Sequence, residues 1–288
     1  MSDGGLDWID GGADCTTGAP TSQDRTRKPA TAARMYDYYL GGIHNFPADQ
    51  DAARTIAEQF PSVPAMARAN RAFLGRAVRH LLAAGIHQFL DIGWGIPTVG
   101  NVHEIAQAAA PESRVVYVDI DPMAVAESQD ILAGNDLATA LQADLRNPAD
   151  ILAHPCVRRL LDLGQPVGLL LVSVLHFVPD DDLAYAAVPE LLDALAPGSH
   201  LVIAHVASET YRPMFERARN TEDVYRQRTS TPGHARTRPE VERFFTGVEM
   251  LDPGLVRVHD WRPDPDEPSV RPEDRESTGI WAGVGRKK

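Results

Sequence analysis

The chain is poor in cysteine, in lysine and in positive charge. Each shortage argues against particular kinds of site or binding partner. Its two cysteines, Cys15 and Cys156, have neither the spacing of a metal site nor that of a disulfide-rich scaffold. The net charge of −12 argues against a general binder of nucleic acid or of anionic membranes. Lysine occurs only at Lys28, Lys287 and Lys288, so arginine supplies nearly all basic side chains. We interpret this bias as a sign of a high-GC bacterial genome.

Long apolar runs are also missing from the 288 residues, and none could span a bilayer. Residues 1–29 are polar and lack the basic-then-apolar order of a secretory signal, which predicts a cytoplasmic protein that does not act at a membrane. The same segment has too few large apolar residues to offset the entropy of ordering. We therefore expect residues 1–29 to form a mobile tail.

Residues 30–85 show helical patterns that come before any strand. The predicted helices cover, in order, Ala30–Leu40, Ala48–Phe60 and Val63–Ala84. The first stops at a glycine pair, Gly41 and Gly42, and the third has Ser62 at the position of an N-cap. Three helices of this polarity are too few for a separate domain, so we expect an N-terminal helical cap beside a core formed by residues 86–288.

The core region alternates apolar strand patterns with helical ones. The first predicted strand ends at Ile92, and the others are Arg114–Asp119, Thr139–Ala143, Val167–Val174, Ser199–Ala207, Val248–Val258 and Gly279–Val284. Five strand–helix alternations predict an α/β fold with a doubly wound, mostly parallel sheet and right-handed crossovers. The last two strands have no convincing helix between them, so they could pair antiparallel at one edge.

A glycine turn follows the first strand, in the stretch Asp91-Ile92-Gly93-Trp94-Gly95. Glycines let a ligand approach the backbone, and in α/β proteins ligands bind at the carboxyl ends of strands. A dinucleotide site would need a third glycine three residues after Gly95, where the chain has Thr98. An acid at Asp91 would repel a pyrophosphate but would balance the ammonium and sulfonium of S-adenosylmethionine (SAM).

Two more acids end the next two strands. Asp119 closes the second strand, roughly 20 residues after the glycines, where an acid accepts hydrogen bonds from ribose hydroxyls. Asp144 closes the third, where a carboxylate could accept the adenine amino group, although it could instead cap the helix that follows. A glycine turn and three acids at successive strand ends favour SAM as the ligand.

These motifs resemble those of class I SAM-dependent methyltransferases. The stretches that carry the resemblance are Asp91–Gly95, Val118–Pro122 and Ala143–Leu145. Further stretches are similar to the S-adenosyl methyltransferase family of high-GC bacteria, formerly a domain of unknown function; they are Arg34–Gly42, Asn45–Phe46, Arg68–Leu74, Gly100–Glu104 and Val174–Asp180. The resemblance covers roughly Pro29 to Pro263, which is nearly the whole chain outside its tails.

The resemblance implies a class I, Rossmann-like fold with seven strands, of which the last is antiparallel, and SAM as cofactor. The cofactor contacts that it implies are Asp91, Gly93, Trp94, Gly95, Asp119, Ile120, Asp144, Leu145 and Ser173. Two residues depart from the pattern. Trp94 stands where the family has a small residue, and Pro97 replaces the third glycine of the broader methyltransferase motif. The Trp94 ring could lie over the methionine part of the cofactor or point away behind the turn.

Other candidate residues lie on the acceptor side. His176 follows the central strand and could deprotonate an acceptor hydroxyl, because an unperturbed histidine titrates near neutral pH. It could equally be a packing residue, since methyl transfer depends mainly on alignment. A polar-aromatic cluster precedes the core and predicts a lid over the cofactor, with support from Asn70 and Arg71; its members are Arg34, Tyr36, Tyr38 and Asn45. In this prediction Arg34 binds the methionine carboxylate, whereas the alternative is a helix that packs its tyrosines with their hydroxyls outward.

The predicted function is in-line methyl transfer from SAM to a small-molecule acceptor, without a metal. We expect no nucleic acid or membrane partner and leave a homodimer open. A SAM-binding sensor without transferase activity is the alternative, and Trp94 is the residue that motivates it. An NAD-dependent oxidoreductase is disfavoured by Asp91 and by the missing third glycine.

Overall fold

The structure, a computed structural model, describes residues 30–96, 100–210, 233–265 and 278–288. The tail predicted for residues 1–29 lies outside this part of the chain. The helices are α1 (Ala32–Tyr39), α2 (Pro47–Gln59), α3 (Val63–Ala83), α4 (Val102–Ala109), α5 (Pro122–Ile131), α6 (Pro148–Ala153), α7 (Pro155–Leu160), α8 (Asp181–Asp193) and α9 (Arg238–Glu242). No helix among the described residues has the length and apolar character that crossing a bilayer requires.

The strands form one mixed sheet. They are β1 (Gln88–Ile92), β2 (Arg114–Asp119), β3 (Ala138–Gln142), β4 (Gly168–Val172), β5 (His200–Val206), β6 (Val248–Met250), β7 (Val256–Arg257) and β8 (Ile280–Lys287). The order across the sheet is β3-β2-β1-β4-β5-β8-β6, with β7 also paired to β8. Strands β1 to β5 are parallel, and β8 is antiparallel to its neighbours. The predicted doubly wound class I fold with an antiparallel last strand is confirmed.

The prediction of one continuous strand over Val248–Val258 is wrong. The segment forms two short strands, β6 and β7, which pair with different halves of β8 and so share one position in the sheet. Pro253 lies between them and has no N–H to donate, and Gly254 adopts a φ of 83°. A turn at Pro253 and Gly254 therefore interrupts the predicted strand.

The N-terminal helices have two different packing roles. Helix α3 buries Met66, Phe73, Ala77 and Leu81 in the same apolar cluster as Phe89 and other residues on one face of the sheet. Its approach is close, because a Cβ on Gly168 of β4 would lie 2.8 Å from Cδ2 of Leu81. Helices α1 and α2 instead share a small cluster of their own with the start of α3. Helix α3 therefore belongs to the layer that covers the sheet, and α1 and α2 extend over its edge.

Ser62 occupies the predicted N-cap position of α3 but does not cap the helix through its side chain. Its backbone already has helical angles, with φ −76° and ψ −18°, and its hydroxyl points to Sδ of Met66 at 3.9 Å. An N-capping side chain needs extended backbone angles so that its oxygen can turn back to the first amides. The helix therefore begins without the cap that the sequence predicts.

Candidate cofactor site

The turn after β1 depends on two glycines with left-handed backbone angles. Gly93 has a φ of 76° and Gly95 a φ of 75°. A Cβ on Gly93 would come within 2.1 Å of Cγ2 of Val174, which follows β4, whereas a Cβ on Gly95 would lie 3.5 Å from Cβ of Ala33 in α1. The loop after β4 and helix α1 thus enclose the turn from two directions.

Asp91 is a buried carboxylate at the carboxyl end of β1. It lies opposite Tyr117 of β2, and only 3% of its surface is exposed. Among the described residues no donor forms a hydrogen bond to its carboxylate. Burial raises its pKa to about 7; the Arg71 guanidinium opposes this rise and the Asp119 carboxylate adds to it. A buried acid without hydrogen bonds is unfavourable unless something satisfies it, so Asp91 is suited to a cationic ligand.

Asp119 lies at the end of β2 and is also buried. Its two oxygens accept hydrogen bonds from the backbone amides of Gly95, at 2.8 Å, and of Asp121, at 2.9 Å. Burial raises its pKa, and these amide bonds act against the rise. A carboxylate offers about four acceptor positions. Asp119 can therefore hold the glycine turn in place and still accept a ligand hydroxyl.

The predicted cofactor contacts that follow Asp119, which are Ile120, Asp144 and Leu145, differ in accessibility. Ile120, next to Asp119, is an apolar side chain that remains 51% exposed, whereas Leu145 is buried in the core. The Asp144 carboxylate is already bonded to Arg146, whose Nε lies 2.9 Å from both oxygens. This bond lowers the pKa of Asp144. Ile120 thus offers an apolar surface, and an adenine amino group would share Asp144 with Arg146.

Trp94 turns its ring into the protein on the β2 side of the glycine turn. The ring centroid lies 4.3 Å from that of Tyr117, and the indole packs against the cluster between the sheet, α3 and α4. Its Nε1 is buried and has no hydrogen-bond partner among the described residues. The ring therefore lies against Tyr117, the residue of β2 that is paired with Asp91.

The loop after β4 contains a strained residue and a histidine. Ser173 has a φ of 62°, a left-handed angle that costs a non-glycine residue about 1–2 kcal/mol, and its amide donates to the carbonyl of Ala204. His176 follows in a single 3-10 turn, Leu175–Phe177. Burial and, to a smaller extent, the Arg236 guanidinium together lower the pKa of His176 to about 3. With this pKa the imidazole is neutral at pH 7 and is a weaker base than an unperturbed histidine.

The predicted lid residues are on α1 and in the connection to α2. Arg34 is buried, its Nε donates to Oδ2 of Asp49 at 2.8 Å, and its Nη1 lies 3.9 Å from Oδ2 of Asp121. The Arg34 guanidinium therefore lies near the end of β2, between two carboxylates. The Tyr36 hydroxyl donates to the carbonyl of Ala67 at 3.0 Å and ties α1 to α3.

Helix α3 brings Arg71 between Tyr36 and Asp91. Its guanidinium carbon lies 5.8 Å from the centroid of the Tyr36 ring, and the Tyr36 hydroxyl accepts a hydrogen bond from Asn70 at 2.9 Å. Arg71 acts electrostatically on Asp91 and on Tyr117. Tyr36, one of the four predicted lid residues, thus packs against Arg71, the arginine that acts on Asp91.

Tyr38 and Asn45 make their contacts within the two N-terminal helices. The Tyr38 ring faces Arg54 of α2, at 6.0 Å from the guanidinium carbon. Asn45 donates to Oδ2 of Asp37 at 2.7 Å and to the carbonyl of Gly42 at 2.9 Å, and its own oxygen accepts from Gln50. These bonds use the polar atoms of Asn45 to shape the connection between α1 and α2.

Sequence reasoning missed Arg236, which belongs to none of the motifs named above. Its backbone forms an isolated bridge with Ala207 next to β5, and its side chain is fully buried. A capping box that begins at Thr237, with Glu240 as its partner, could have shown that the helix starts only after Arg236. Nothing in the sequence indicates the partners of its side chain.

The chain is similar to known proteins in sequence and in fold. A family model described as S-adenosyl methyltransferase matches residues 17–288. The crystal structure of a protein from Thermobifida fusca YX, assigned as a methyltransferase, is 41% identical, with a TM-score of 0.82 and coverage of 91% of this chain and 96% of that one. A DUF574 family protein from Streptomyces avermitilis MA-4680 is 42% identical, with a TM-score of 0.83 and coverage of 90% and 98%. No curated protein matches the chain.

Proposed function

Because the chain belongs to the S-adenosyl methyltransferase family, we propose that it binds SAM at the carboxyl ends of β1 and β2 and transfers the methyl group to a small-molecule acceptor. The observation that carries this proposal is the state of Asp91. It is a buried carboxylate with a raised pKa and no hydrogen-bond donor among the described residues. A cationic ligand would remove this unfavourable state, because an opposite charge stabilises the ionised form.

The charges around Asp91 match an amino acid zwitterion. Asp91 would bind the ammonium group of the methionine part, and Arg71, which acts on Asp91 through space, would bind its carboxylate. The Arg34 guanidinium lies instead between Asp49 and Asp121. We therefore propose Arg71 rather than Arg34 as the partner of the methionine carboxylate and assign Arg34 to the attachment of the lid.

The adenosine part would extend along the ends of β2 and β3. Asp119 keeps acceptor positions for the ribose hydroxyls, and its bond to the Gly95 amide fixes the turn beside them. Ile120 offers an exposed apolar side chain on which adenine could lie. Asp144 would accept the adenine amino group in competition with Arg146.

When bound, SAM would supply a methyl group on a sulfonium, activated for in-line transfer to a nucleophilic atom. The contribution of this chain would then be alignment of the acceptor and exclusion of water. Helix α1 is placed for both tasks, because Ala33 lies against the glycine turn and Tyr36 is anchored to α3. His176, neutral at pH 7, would orient the acceptor by a hydrogen bond rather than remove its proton.

The position of Trp94 favours a transferase over a sensor. Its ring packs against Tyr117 on the β2 side of β1, whereas the loop that carries His176 follows β4 on the other side. Among the described residues the Trp94 ring has its ring contact with Tyr117, and no aromatic side chain of the His176 loop packs against it. A sensor would bind SAM and would transfer no methyl group to any acceptor.

Calorimetric titration of the full chain with SAM and with S-adenosylhomocysteine (SAH) tests the proposal. We expect both to bind with one site per chain, and NADH to give no heat. NADH serves as the control because a dinucleotide site is the competing use of a glycine turn in this fold. A folded sample that binds neither SAM nor SAH, or that binds NADH in their place, would refute the proposal.

A further inference from the structure

Arg236 is a buried arginine whose hydrogen-bonding capacity is fully used. A guanidinium has five N–H groups, and the structure provides an acceptor for each. The acceptors are Oδ1 of Asp181 (3.0 Å from Nε and 2.8 Å from Nη2), the carbonyls of Leu175 (3.0 Å) and Val178 (2.9 Å), and Nε2 of His205 (3.0 Å). The guanidinium also lies within 6 Å of two aromatic rings, at 5.7 Å from Tyr185 and 5.4 Å from Phe244.

Two of these acceptors bracket His176 in the sequence. Leu175 and Val178 belong to the loop after β4, so Arg236 binds the backbone on both sides of the 3-10 turn that carries the histidine. His205 connects the same guanidinium to β5, and its Nδ1 bonds to the carbonyl of Val206. Arg236 therefore joins the His176 loop to the sheet and, through Asp181, to the start of α8.

The backbone around Arg236 reinforces this connection. Its amide donates to the carbonyl of Val206 at 3.2 Å, and its carbonyl accepts from the amide of Ser208 at 2.9 Å. Two residues earlier, the His234 amide donates to the carbonyl of His176 at 2.6 Å. A segment distant in sequence thus contacts His176 through its backbone and fixes the loop through the side chain of Arg236.

We propose that Arg236 is a positioning residue that sets the place of His176 on the acceptor side of the methyl-transfer site. The assignment of that side rests on the proposed function. Arg236 would act through the carbonyls of Leu175 and Val178, without touching the cofactor. A loop with a fixed histidine suits a reaction in which the acceptor atom must be aligned with the methyl group.

The charge of Arg236 gives a spectroscopic signature for this role. Burial and the nearby guanidinium together lower the pKa of His176. The ionisable or charged groups around the two residues include His205 of β5, Asp181 and Tyr185 of α8, and His234. Loss of the guanidinium would remove the cation and admit water to the loop, and both changes raise the pKa of His176.

NMR of the histidine Cε1–H signals in the full chain tests the proposal, with the His176 signal assigned by its loss in His176→Asn. Arg236→Met should shift this signal and raise the pKa of His176 into the measurable range. Arg76→Met is the matched control. Arg76 is another buried arginine that donates to backbone carbonyls, those of Trp261 (3.0 Å) and Val258 (2.7 Å). This control should leave the His176 signal and its titration as in the wild type.

A folded Arg236→Met protein with an unchanged His176 signal and titration would overturn the proposal, because Arg236 would then only fill space. If Arg236→Met does not fold, Arg236→Lys decides, since three ammonium protons cannot serve five acceptor bonds and the His176 signal must shift. An unchanged signal in that variant would also overturn the proposal. SAH titration of the wild type in the same buffer separates the two claims, because absence of SAH binding refutes the proposed function alone.

Discussion

Replacement of Asp91 by asparagine should abolish SAH binding and at the same time stabilise the ligand-free protein at pH 8. An amide cannot balance the ammonium group, and the loss of a buried charged partner reduces affinity by roughly 2–5 kcal/mol. Without ligand the same carboxylate is unfavourable, because it is buried with a pKa raised to about 7. In the proposed function, the ionised Asp91 carboxylate destabilises the ligand-free protein and stabilises the bound ligand, which is the trade-off between stability and function expected of a binding site.

The sign of the pH dependence follows from this raised pKa. In the unfolded chain Asp91 ionises near pH 3.9, and in the folded protein near pH 7. Its contribution to stability is therefore fully present below pH 4 and is lost as the pH rises through 7. Asp91→Asn should gain on the order of 1–3 kcal/mol at pH 8, and this gain should decrease toward pH 4. Urea unfolding of both proteins at pH 5 and pH 8 measures the difference.

Asp144→Asn is a control, because the contribution of Asp144 to stability should depend on pH in the opposite direction to that of Asp91. The Arg146 bond lowers the pKa of Asp144, so its contribution to stability is present above its unfolded pKa and is lost as the pH falls. The pair lies at the surface, with 24% of the Asp144 side chain exposed, so the loss at pH 8 should be below about 1 kcal/mol. An Asp91→Asn protein that is less stable than the wild type at pH 8, or that binds SAH normally, would contradict the assignment of Asp91.

Arg71→Met should weaken SAH binding by about 10–100-fold and leave the binding of 5′-methylthioadenosine unchanged. A hydrogen bond to a charged group contributes about 1.5–3 kcal/mol, and 1.4 kcal/mol is tenfold in affinity. 5′-Methylthioadenosine keeps the adenosine and the sulfur but lacks the amino acid part, so it cannot use Arg71. Calorimetry with both ligands therefore separates a lost contact from general damage to the site.

Arg68→Met is the matched control for Arg71, because Arg68 is exposed on the same helix, less than one turn earlier. It should change neither affinity. Equal weakening of both ligands by Arg71→Met would show that the arginine only supports the fold. No weakening of SAH binding would show that Arg71 does not bind the methionine carboxylate.

The sequence predicts the fold and the acids because both depend on local patterns. Strand–helix alternation determines a parallel sheet, and an acid at the end of a strand must lie at the edge where the other strand ends meet. The sequence alone therefore predicts that Asp91 and Asp119 lie near one another, and in the structure the Asp119 carboxylate contributes to the raised pKa of Asp91. The break in Val248–Val258 was also readable, since Pro253 cannot continue a ladder.

The partners of the arginine side chains cannot be predicted from local sequence patterns. The partners of a long side chain depend on how distant elements pack, and Arg236 binds Asp181 and Leu175 across 55 and 61 residues. Arg34 was expected on the methionine carboxylate, yet the packing of α1 on α2 brings it to Asp49. The pKa of His176 also depends on packing, because burial and the Arg236 guanidinium, which is distant in sequence, lower it. Sequence patterns therefore predict where the acids of the proposed site lie in the fold, but not the contacts of the arginines and of His176.

A crystal structure of the full chain with SAH tests the central claim most directly. The account predicts the amino group of SAH within hydrogen-bonding distance of the Asp91 carboxylate and the ribose hydroxyls on Asp119. The space beside the sulfur should open toward the loop of His176. SAH bound elsewhere, or bound at this edge with its amino group away from Asp91, would contradict the account.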